Sequence, residues 1–165
     1  MLYVGIDPGL DGGIVGVEDG DIAISMLIPT MKAGVGGRRV LDVGEMVDVV
    51  VDLKQQRGVF VVLEDIDARP GSPMSKQATL SFGQHHGCIV GLLSMGRVPF
   101  QLCRPKVWQR LAGVAGDGDV KDRVLAVVQR RLPALELTPG KRTKPHQGLA
   151  DAAGMALAAM VLSPG

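Results

Sequence analysis

Acidic side chains stand at the ends of two apolar runs of this sequence. The run "LYVGID" ends on Asp7, and the run "VVLE" ends on Glu64. Two carboxylates within a few ångströms of each other repel, so either one pKa rises strongly or a divalent cation is held between them. Asp151, near the start of the last apolar stretch, is a third acid that could join Asp7 and Glu64. Oxygen ligands without thiolates favour Mg²⁺ or Mn²⁺, and paired ions held by carboxylates suit phosphodiester hydrolysis.

Each of these acids also has a purely structural explanation, which the sequence leaves open. Asp7 precedes Pro8 and is suited to starting a turn, and Glu64 is suited to capping a loop. Asp151 in the first turn of a helix is favoured by the helix macrodipole. His146 lies in the loop before that helix, where a histidine is most often only exposed to solvent.

The elements that must position these acids follow from the apolar spacing. Short β-prone runs at 2–7, 13–17 and 22–28 are separated by turns rich in Gly and Asp, which predicts a three-stranded antiparallel meander. Alternating periods after the meander predict further helices and strands. In chain order these are a helix over 40–57, a strand over 59–65, a helix over 77–95, a strand over 99–103, one or two helical turns at 107–113, a helix over 119–132 and a helix over 148–162.

This order predicts an α/β fold with a mixed five-stranded sheet, in which three antiparallel strands are followed by parallel strands and helices cover both faces. The two strands that end on acids are expected to lie side by side, with Asp7 and Glu64 at one end. If the last helix packs on the sheet, Asp151 faces that end, with His146 nearby. No linker divides the chain, so we expect one domain over 1–165.

Composition restricts the class of protein further. Two cysteines far apart in the sequence, Cys88 and Cys103, support neither a disulfide framework nor a zinc site. The chain opens with no signal-peptide pattern, and its longest apolar stretch carries Asp151 and is too short to span a bilayer. We therefore predict a cytoplasmic protein without a membrane partner.

Positive charge is concentrated in the second half of the chain, although the formal net charge is only +1. From Arg97 onwards, 11 Lys and Arg face 5 Asp and Glu. A solvated helix face with a basic loop is one explanation, and binding of a phosphate backbone is the other. The candidate DNA-binding residues are Arg104, Lys106, Lys121, Arg123, Lys141, Arg142 and Lys144.

Four blocks of the sequence, in a fixed order, resemble the RuvC family of Holliday-junction resolvases, especially its compact phage-type members. That family has an RNase H-like fold. The first block alone is also similar to the opening of sugar kinases and Hsp70-like ATPases, whereas the ordered set is more specific. The blocks are "GIDPGLDGG", "VVLEDIDARPG", "SFGQHHGCIVGLL" with "VPFQLCRPKVWQRLAG", and "GLADAAGMALA".

The resemblance implies particular roles for particular residues. It makes Asp7, Glu64 and Asp151 the metal-binding acids of a two-metal nuclease that uses Mg²⁺, with Mn²⁺ as a substitute. Cellular members keep a fourth ligand three positions before the last acid, where this sequence has Gly148, so His146 is the candidate instead. Lys121 matches a lysine that acts at the scissile phosphate.

The resemblance also implies a substrate and an assembly. Family members are homodimers that cut opposed strands of a four-way junction, and the helix over 77–95 resembles their dimer helix. Gly83, Gly87 and Gly91 follow one face of this helix, a spacing compatible with close approach. Cellular members carry an aromatic residue that probes the junction centre where this sequence has Asp67. We therefore expect selectivity relaxed towards other branched or flapped DNA.

Three function classes follow. The first is a metal-dependent, structure-selective endonuclease, which requires all three acids. The second is a non-catalytic module that binds branched DNA on the same fold; it needs only the basic residues. The third is an ATP-dependent kinase-type domain, which would need a second Gly-rich phosphate loop and a longer chain. The sequence favours the nuclease.

Overall fold

The computed structural model describes residues 1–34, 36–65 and 76–164. Within these ranges the chain alternates between strands and helices after an all-β start. The elements are β1 (Leu2–Ile6), β2 (Gly13–Glu18), β3 (Asp21–Leu27), β4 (Thr30–Ala33), β5 (Arg38–Leu41), α1 (Val43–Gln55), β6 (Val59–Glu64), α2 (Lys76–Gly96), β7 (Phe100–Cys103), α3 (Pro105–Leu111), α4 (Val120–Arg131) and α5 (Gln147–Leu162).

Five strands form the central sheet in the order β3-β2-β1-β6-β7. The first three pair antiparallel, as the Gly-rich and Asp-rich turns between them predict. β6 then pairs parallel with β1, and β7 pairs parallel with β6. The predicted fold class, a mixed five-stranded sheet with antiparallel strands followed by parallel ones, is confirmed.

Helices cover both faces of the sheet because side chains alternate along its buried strands. On β6, Val61 and Leu63 belong to the hydrophobic cluster formed with α1 and α2. Phe60 and Val62, which point the other way, belong to the cluster formed with α3, α4 and α5. Such continuous apolar runs are typical of strands buried on both sides.

Helix α5 lies closest to the sheet, and glycine on β1 makes this possible. A Cβ atom at Gly5 would collide with the carbonyl oxygen of Ala152 and would lie 2.5 Å from the backbone nitrogen of Ala156. The helix is buried from Gly148 to Ala159 apart from Asp151, which is partly exposed. Although α5 is strongly apolar, none of the described helices is both long enough and apolar enough to cross a membrane.

A two-stranded hairpin of β4 and β5 lies outside the main sheet and was not predicted. The prediction that a helix spans 40–57 is wrong at both ends, because α1 covers only Val43–Gln55. Asp42 caps this helix by accepting a hydrogen bond from the Glu45 backbone nitrogen at 3.1 Å. The residues before the cap pair with β4 instead, Val40 opposite Met31.

We predict that Gly5→Ala destabilises the protein by about 3 kcal/mol or more, since the added methyl meets rigid backbone rather than a movable side chain. Gly44→Ala in the first turn of α1 is the matched control, where the added Cβ finds its nearest neighbour at an ordinary 3.4 Å. Urea unfolding of both variants tests this. Equal stability of the two variants would contradict the close approach of α5 to β1.

Candidate active site

Asp7 and Glu64 follow paired positions of two parallel strands. Ile6 lies opposite Leu63 in the β1–β6 ladder, so the next residue on each strand stands beside the other, about 4.8 Å apart across the ladder. Side-chain alternation directs Glu64 to the same face as Val62, the face covered by α5. Asp7 continues the face of Gly5, which is also covered by α5.

The third acid comes from α5. Ala152 touches Gly5, and its neighbour Asp151 raises the pKa of both Asp7 and Glu64 by charge repulsion. The structure therefore brings together the three acids that the sequence analysis singled out. The helix begins at Gln147, which places Asp151 in the second turn rather than the predicted first turn. The helix macrodipole therefore does not account for Asp151, because its effect decays within the first turn.

Burial dominates the electrostatics of the three carboxyl groups. It raises the pKa of Asp7 from 3.8 to about 6, with smaller upward contributions from Asp151 and Asp11. It raises the pKa of Glu64 from 4.5 to about 7, helped by the charges of Asp7 and Asp151. The pKa of Asp151 is raised by burial too, against the opposing effect of its hydrogen bond with Gln147 and of the Lys121 ammonium.

Each carboxylate accepts one hydrogen bond that fixes its orientation. Within the described residues the second oxygen of each accepts none, which leaves one oxygen per acid for a ligand. The donor and acceptor pairs are the Gly9 backbone nitrogen to Asp7 Oδ1 at 3.0 Å, Trp108 Nε1 to Glu64 Oε1 at 3.0 Å, and Gln147 Nε2 to Asp151 Oδ1 at 2.9 Å.

Trp108 is a site residue that the sequence analysis missed. Its ring is almost fully buried on α3 and packs against Gly154 of α5, where a Cβ atom would lie 2.7 Å from the ring. A buried indole usually needs a hydrogen-bond acceptor, and Glu64 provides it here. The signal available in the sequence was that this is the only tryptophan of the chain.

The end of β6 has a second support from α2. His86 is buried, and its Nε2 lies 3.0 Å from the backbone oxygen of Glu64. This contact holds the strand end on the side opposite to α5. Nothing in the spacing of His86 distinguishes it in sequence from a core histidine.

His146 is buried rather than solvent-exposed, and it caps α5. Its Nδ1 accepts a hydrogen bond from the Leu149 backbone nitrogen at 3.3 Å. Burial and the nearby Arg142 lower its pKa, while Asp11 opposes them. The charged groups that act on His146 are therefore Arg142, which disfavours protonation of the ring, and Asp11, which favours it. Its role as a metal ligand stays a prediction.

Gly148 stands three positions before Asp151, where a fourth ligand was expected from the resemblance, and the backbone around it leaves no room for a side chain. A Cβ atom there would collide with the backbone oxygen of Asp11 and lie 2.6 Å from the Cα of Gly12. Gly12 and Gly148 form an isolated parallel bridge, which ties the turn after β1 to the start of α5. No side chain fits between these two segments.

Several predicted basic residues stand around the acids. Lys121 lowers the pKa of Asp151, and Arg104 lies 3.8 Å from Asp65, the residue after Glu64. Lys106 is exposed at the start of α3, and Lys141, Arg142 and Lys144 are exposed in the loop before α5. Arg123 on α4 is partly buried, and its Nε has no hydrogen-bond partner within the described chain. Their contact with DNA stays a prediction.

The donor set fits a hard divalent cation, because it offers one unengaged oxygen from each of three carboxylates and no thiolate. Burial raises the pKa of the neighbouring Cys103, so that thiol stays protonated. Among the described residues, no three acids, histidines or cysteines already close around one point as a complete metal site.

Comparison with solved structures identifies the architecture. Thermus thermophilus RuvC matches in complex with a Holliday junction substrate (18% identity, TM-score 0.58, 96% of this chain and 91% of that chain) and in a second structure (22%, 0.57, 96% and 92%). The yeast mitochondrial Holliday junction resolvase Ydc2 matches at 18% identity and TM-score 0.56, over 95% of this chain and 76% of that one. This chain has the RuvC fold.

The RuvC fold is shared here without close sequence similarity. No family model matches the sequence, and no curated protein matches it significantly. The expectation attached to Asp67, which concerns the loop after Glu64, lies outside the described residues.

We predict that metal-free protein loses stability as pH rises. The folded pKa values of about 6 for Asp7 and about 7 for Glu64 exceed their ordinary values. The folded state therefore binds these protons more tightly than the unfolded state does. The resulting stabilisation is complete below about pH 4 and is lost as the pH rises to about 7. Asp7→Asn should raise the free energy of unfolding at pH 8 in EDTA by about 2 kcal/mol. Thermal denaturation against pH tests this, with Asp48→Asn on exposed α1 as control; an Asp7→Asn variant as unstable as the parent contradicts it.

Fluorescence of the single tryptophan should report the protonation of Glu64. Because Trp108 Nε1 donates to Glu64 Oε1, we expect the emission of metal-free protein to change with an apparent midpoint near the pKa of about 7. Mg²⁺ should move this midpoint to lower pH, since a cation favours the carboxylate. A midpoint that persists in Glu64→Gln would show that another group causes the change.

Proposed function

We propose that this protein is a Holliday-junction resolvase, a metal-dependent endonuclease that hydrolyses phosphodiester bonds in branched DNA. The observation that carries the proposal is the meeting of Asp7, Glu64 and Asp151 on one face of a RuvC fold, each with an unengaged oxygen. The matched fold supports it, since both named neighbours are described with Holliday junctions.

In this proposal Asp7, Glu64 and Asp151 hold two Mg²⁺ ions, or Mn²⁺ as a substitute. Ions bound by paired carboxylates activate water and stabilise the charge that develops on the leaving oxygen. Trp108 and Gln147 hold two of the carboxylates in orientation before substrate arrives. Lys121, whose charge lowers the pKa of Asp151, would bind the scissile phosphate. Glu64 must ionise to bind metal, so at low Mg²⁺ concentration activity should rise with pH towards the Glu64 pKa of about 7, and added Mg²⁺ should move this rise to lower pH.

The exposed basic residues fit the outer part of such a substrate site. Arg104 and Lys121 each interact with a residue in or next to the group of three acids, Asp7, Glu64 and Asp151, so they bring positive charge to its edge. Phosphate contacts of this kind fix the position of DNA without reading its sequence. We therefore propose recognition of duplex arms through their backbone, with Lys106, Arg123, Lys141 and Lys144 further from the cut.

We also propose that the chain acts as one nuclease domain and forms a homodimer through α2. Gly83, Gly87 and Gly91 follow one face of this helix, and a Cβ atom added at any of them would meet nothing within 4 Å. Leu80 and Met95 extend the same face and are largely exposed. A dimer would supply the two active sites that two opposed junction strands require. We expect the active species in the cleavage preparations to have the mass of a dimer, which a measurement of its molecular mass in solution tests.

Cleavage of a labelled four-way junction, a flap and a linear duplex tests the proposal. We expect paired nicks on the junction with Mg²⁺ or Mn²⁺ and none with EDTA. Asp7→Asn, Glu64→Gln and Asp151→Asn should each reduce the rate at least ~100-fold, because each removes a ligand charge. Asp48→Asn on the exposed face of α1 should cut like the parent.

The outcomes separate the function classes. Equal cutting of flaps and junctions would widen the activity to branched DNA in general. Binding of the junction without cleavage in either metal would refute the enzyme and leave a DNA-binding module. Cleavage that survives all three acid substitutions would contradict the assigned site.

A further inference from the structure

The β4–β5 hairpin carries only positive charge. Between Thr30 and Leu41 the sequence has Lys32, Arg38 and Arg39 and no acid. Lys32 lies opposite Arg39 in the ladder, and all three side chains belong to exposed residues. Like charges directly opposite one another destabilise a strand pair, so packing alone gives no reason for this arrangement.

The hairpin is anchored at its base, and its charged side chains are exposed along its strands. Leu41 is buried in the hydrophobic cluster formed with α1 and α2, and the Asp42 nitrogen donates to the Pro29 oxygen at 2.9 Å. In the described part of the chain, Lys32 and Arg38 form no ion pair with an acid. An isolated two-stranded hairpin is only marginally stable in water, so this one depends on its base and on contacts with its neighbours.

One contact joins the hairpin to the turn after β1, which begins at Asp7. Arg39 Nη2 lies 2.6 Å from Asp11 Oδ1 in this turn. The Gly12 nitrogen donates to the Gly9 oxygen at 2.8 Å, and the Gly9 nitrogen donates to Asp7 Oδ1 at 3.0 Å, so the turn that carries Asp11 also holds the proposed metal ligand Asp7. Both side chains of the ion pair remain substantially exposed, 46% for Arg39 and 79% for Asp11. A guanidinium with this exposure has further N–H groups to offer a second anion.

The opposite side of the same turn is also lined by positive charge. Asp11 and Arg142 both act on His146, and Gly12 bridges to Gly148 at the start of α5. The turn after β1 therefore stands between the hairpin, whose Leu41 packs with α1 and α2, and the basic loop before α5, whose flanking Leu137 packs on the other face of the sheet. A strand of phosphates that approaches three carboxylates is repelled unless cations flank its path.

We propose that the β4–β5 hairpin is a second phosphate-binding element, in which Lys32, Arg38 and Arg39 contact the DNA backbone beside the cleaved strand. This inference rests on the proposed nuclease function and deepens it by naming a contact on the side opposite to the basic loop. The Asp11–Arg39 ion pair sets the position of the hairpin relative to the acids. Arg39 also neutralises Asp11, which would otherwise add to the repulsion of phosphate.

The test compares two double variants that remove equal charge from the chain. Arg38→Gln with Arg39→Gln alters the hairpin. Lys54→Gln with Arg57→Gln alters exposed residues before β6, at the end of the sheet opposite to Glu64. Dissociation constants for a four-way junction are measured against salt concentration in the Asp7→Asn background, so that the DNA stays intact. Thermal denaturation confirms that each variant is folded.

We expect the hairpin variant to bind at least ~10-fold more weakly and to lower the slope of log Kd against log salt by about two, one for each lost phosphate contact. The control variant should keep the parent slope. Arg38→Lys with Arg39→Lys should restore most of the slope, because it preserves charge. Identical slopes for the hairpin and control variants, with a parent that binds and cuts the junction, would overturn the hairpin proposal alone. A parent that neither binds nor cuts would overturn both proposals.

Discussion

Repulsion between partly buried carboxylates at the ends of β1 and β6 is the constraint on which the rest of the structure depends. Asp7, Glu64 and Asp151 are drawn out of water onto one face of the sheet, where burial and mutual charge raise their pKa values. Such a cluster opposes folding by itself and becomes favourable only with a cation. Packing of the surrounding fold must therefore offset the repulsion between the carboxylates. Sites of this kind commonly trade stability for activity.

That packing is supplied by small residues. Gly5 lets α5 approach the sheet until backbone touches backbone, and this approach carries Asp151 over the two strand ends. Gly154, further along the helix, leaves room for the ring of Trp108, whose nitrogen then reaches Glu64. The contacts that close the hydrophobic core on this face are thus the same contacts that orient the acids.

The sequence predicts the sheet and the three acids because both depend on local patterns. Apolar runs that end on Asp7 and Glu64 identify buried strands, and parallel pairing of such strands brings their ends together. The hydrogen bond between Trp108 and Glu64 joins residues 44 positions apart, which no spacing rule reveals. His146 looks like a loop residue in sequence, whereas the structure uses it to cap a helix.

The hairpin escaped prediction for a different reason. Its strands are only four residues long, and their apolar positions near Val40 fit the beginning of a helix as well as a strand. The helix begins at Val43 because Asp42 caps it, and a capping aspartate is not distinguished from other aspartates by apolar period. The boundary between β5 and α1 was therefore decided by one side-chain hydrogen bond rather than by hydrophobic pattern.

The bridge between Gly12 and Gly148 restricts how this site can change over evolutionary time. Two backbones touch at the position where cellular RuvC-type enzymes are expected to carry a further ligand, so any side chain there meets the main chain of the turn. A lineage with this geometry cannot gain that acid by one substitution. The turn and the helix start would have to separate first, at the expense of the bridge between Gly12 and Gly148. Both positions are therefore restricted to glycine by the main chain, because a Cβ atom at Gly12 would collide with the carbonyl oxygen of Asp7 and one at Gly148 with that of Asp11.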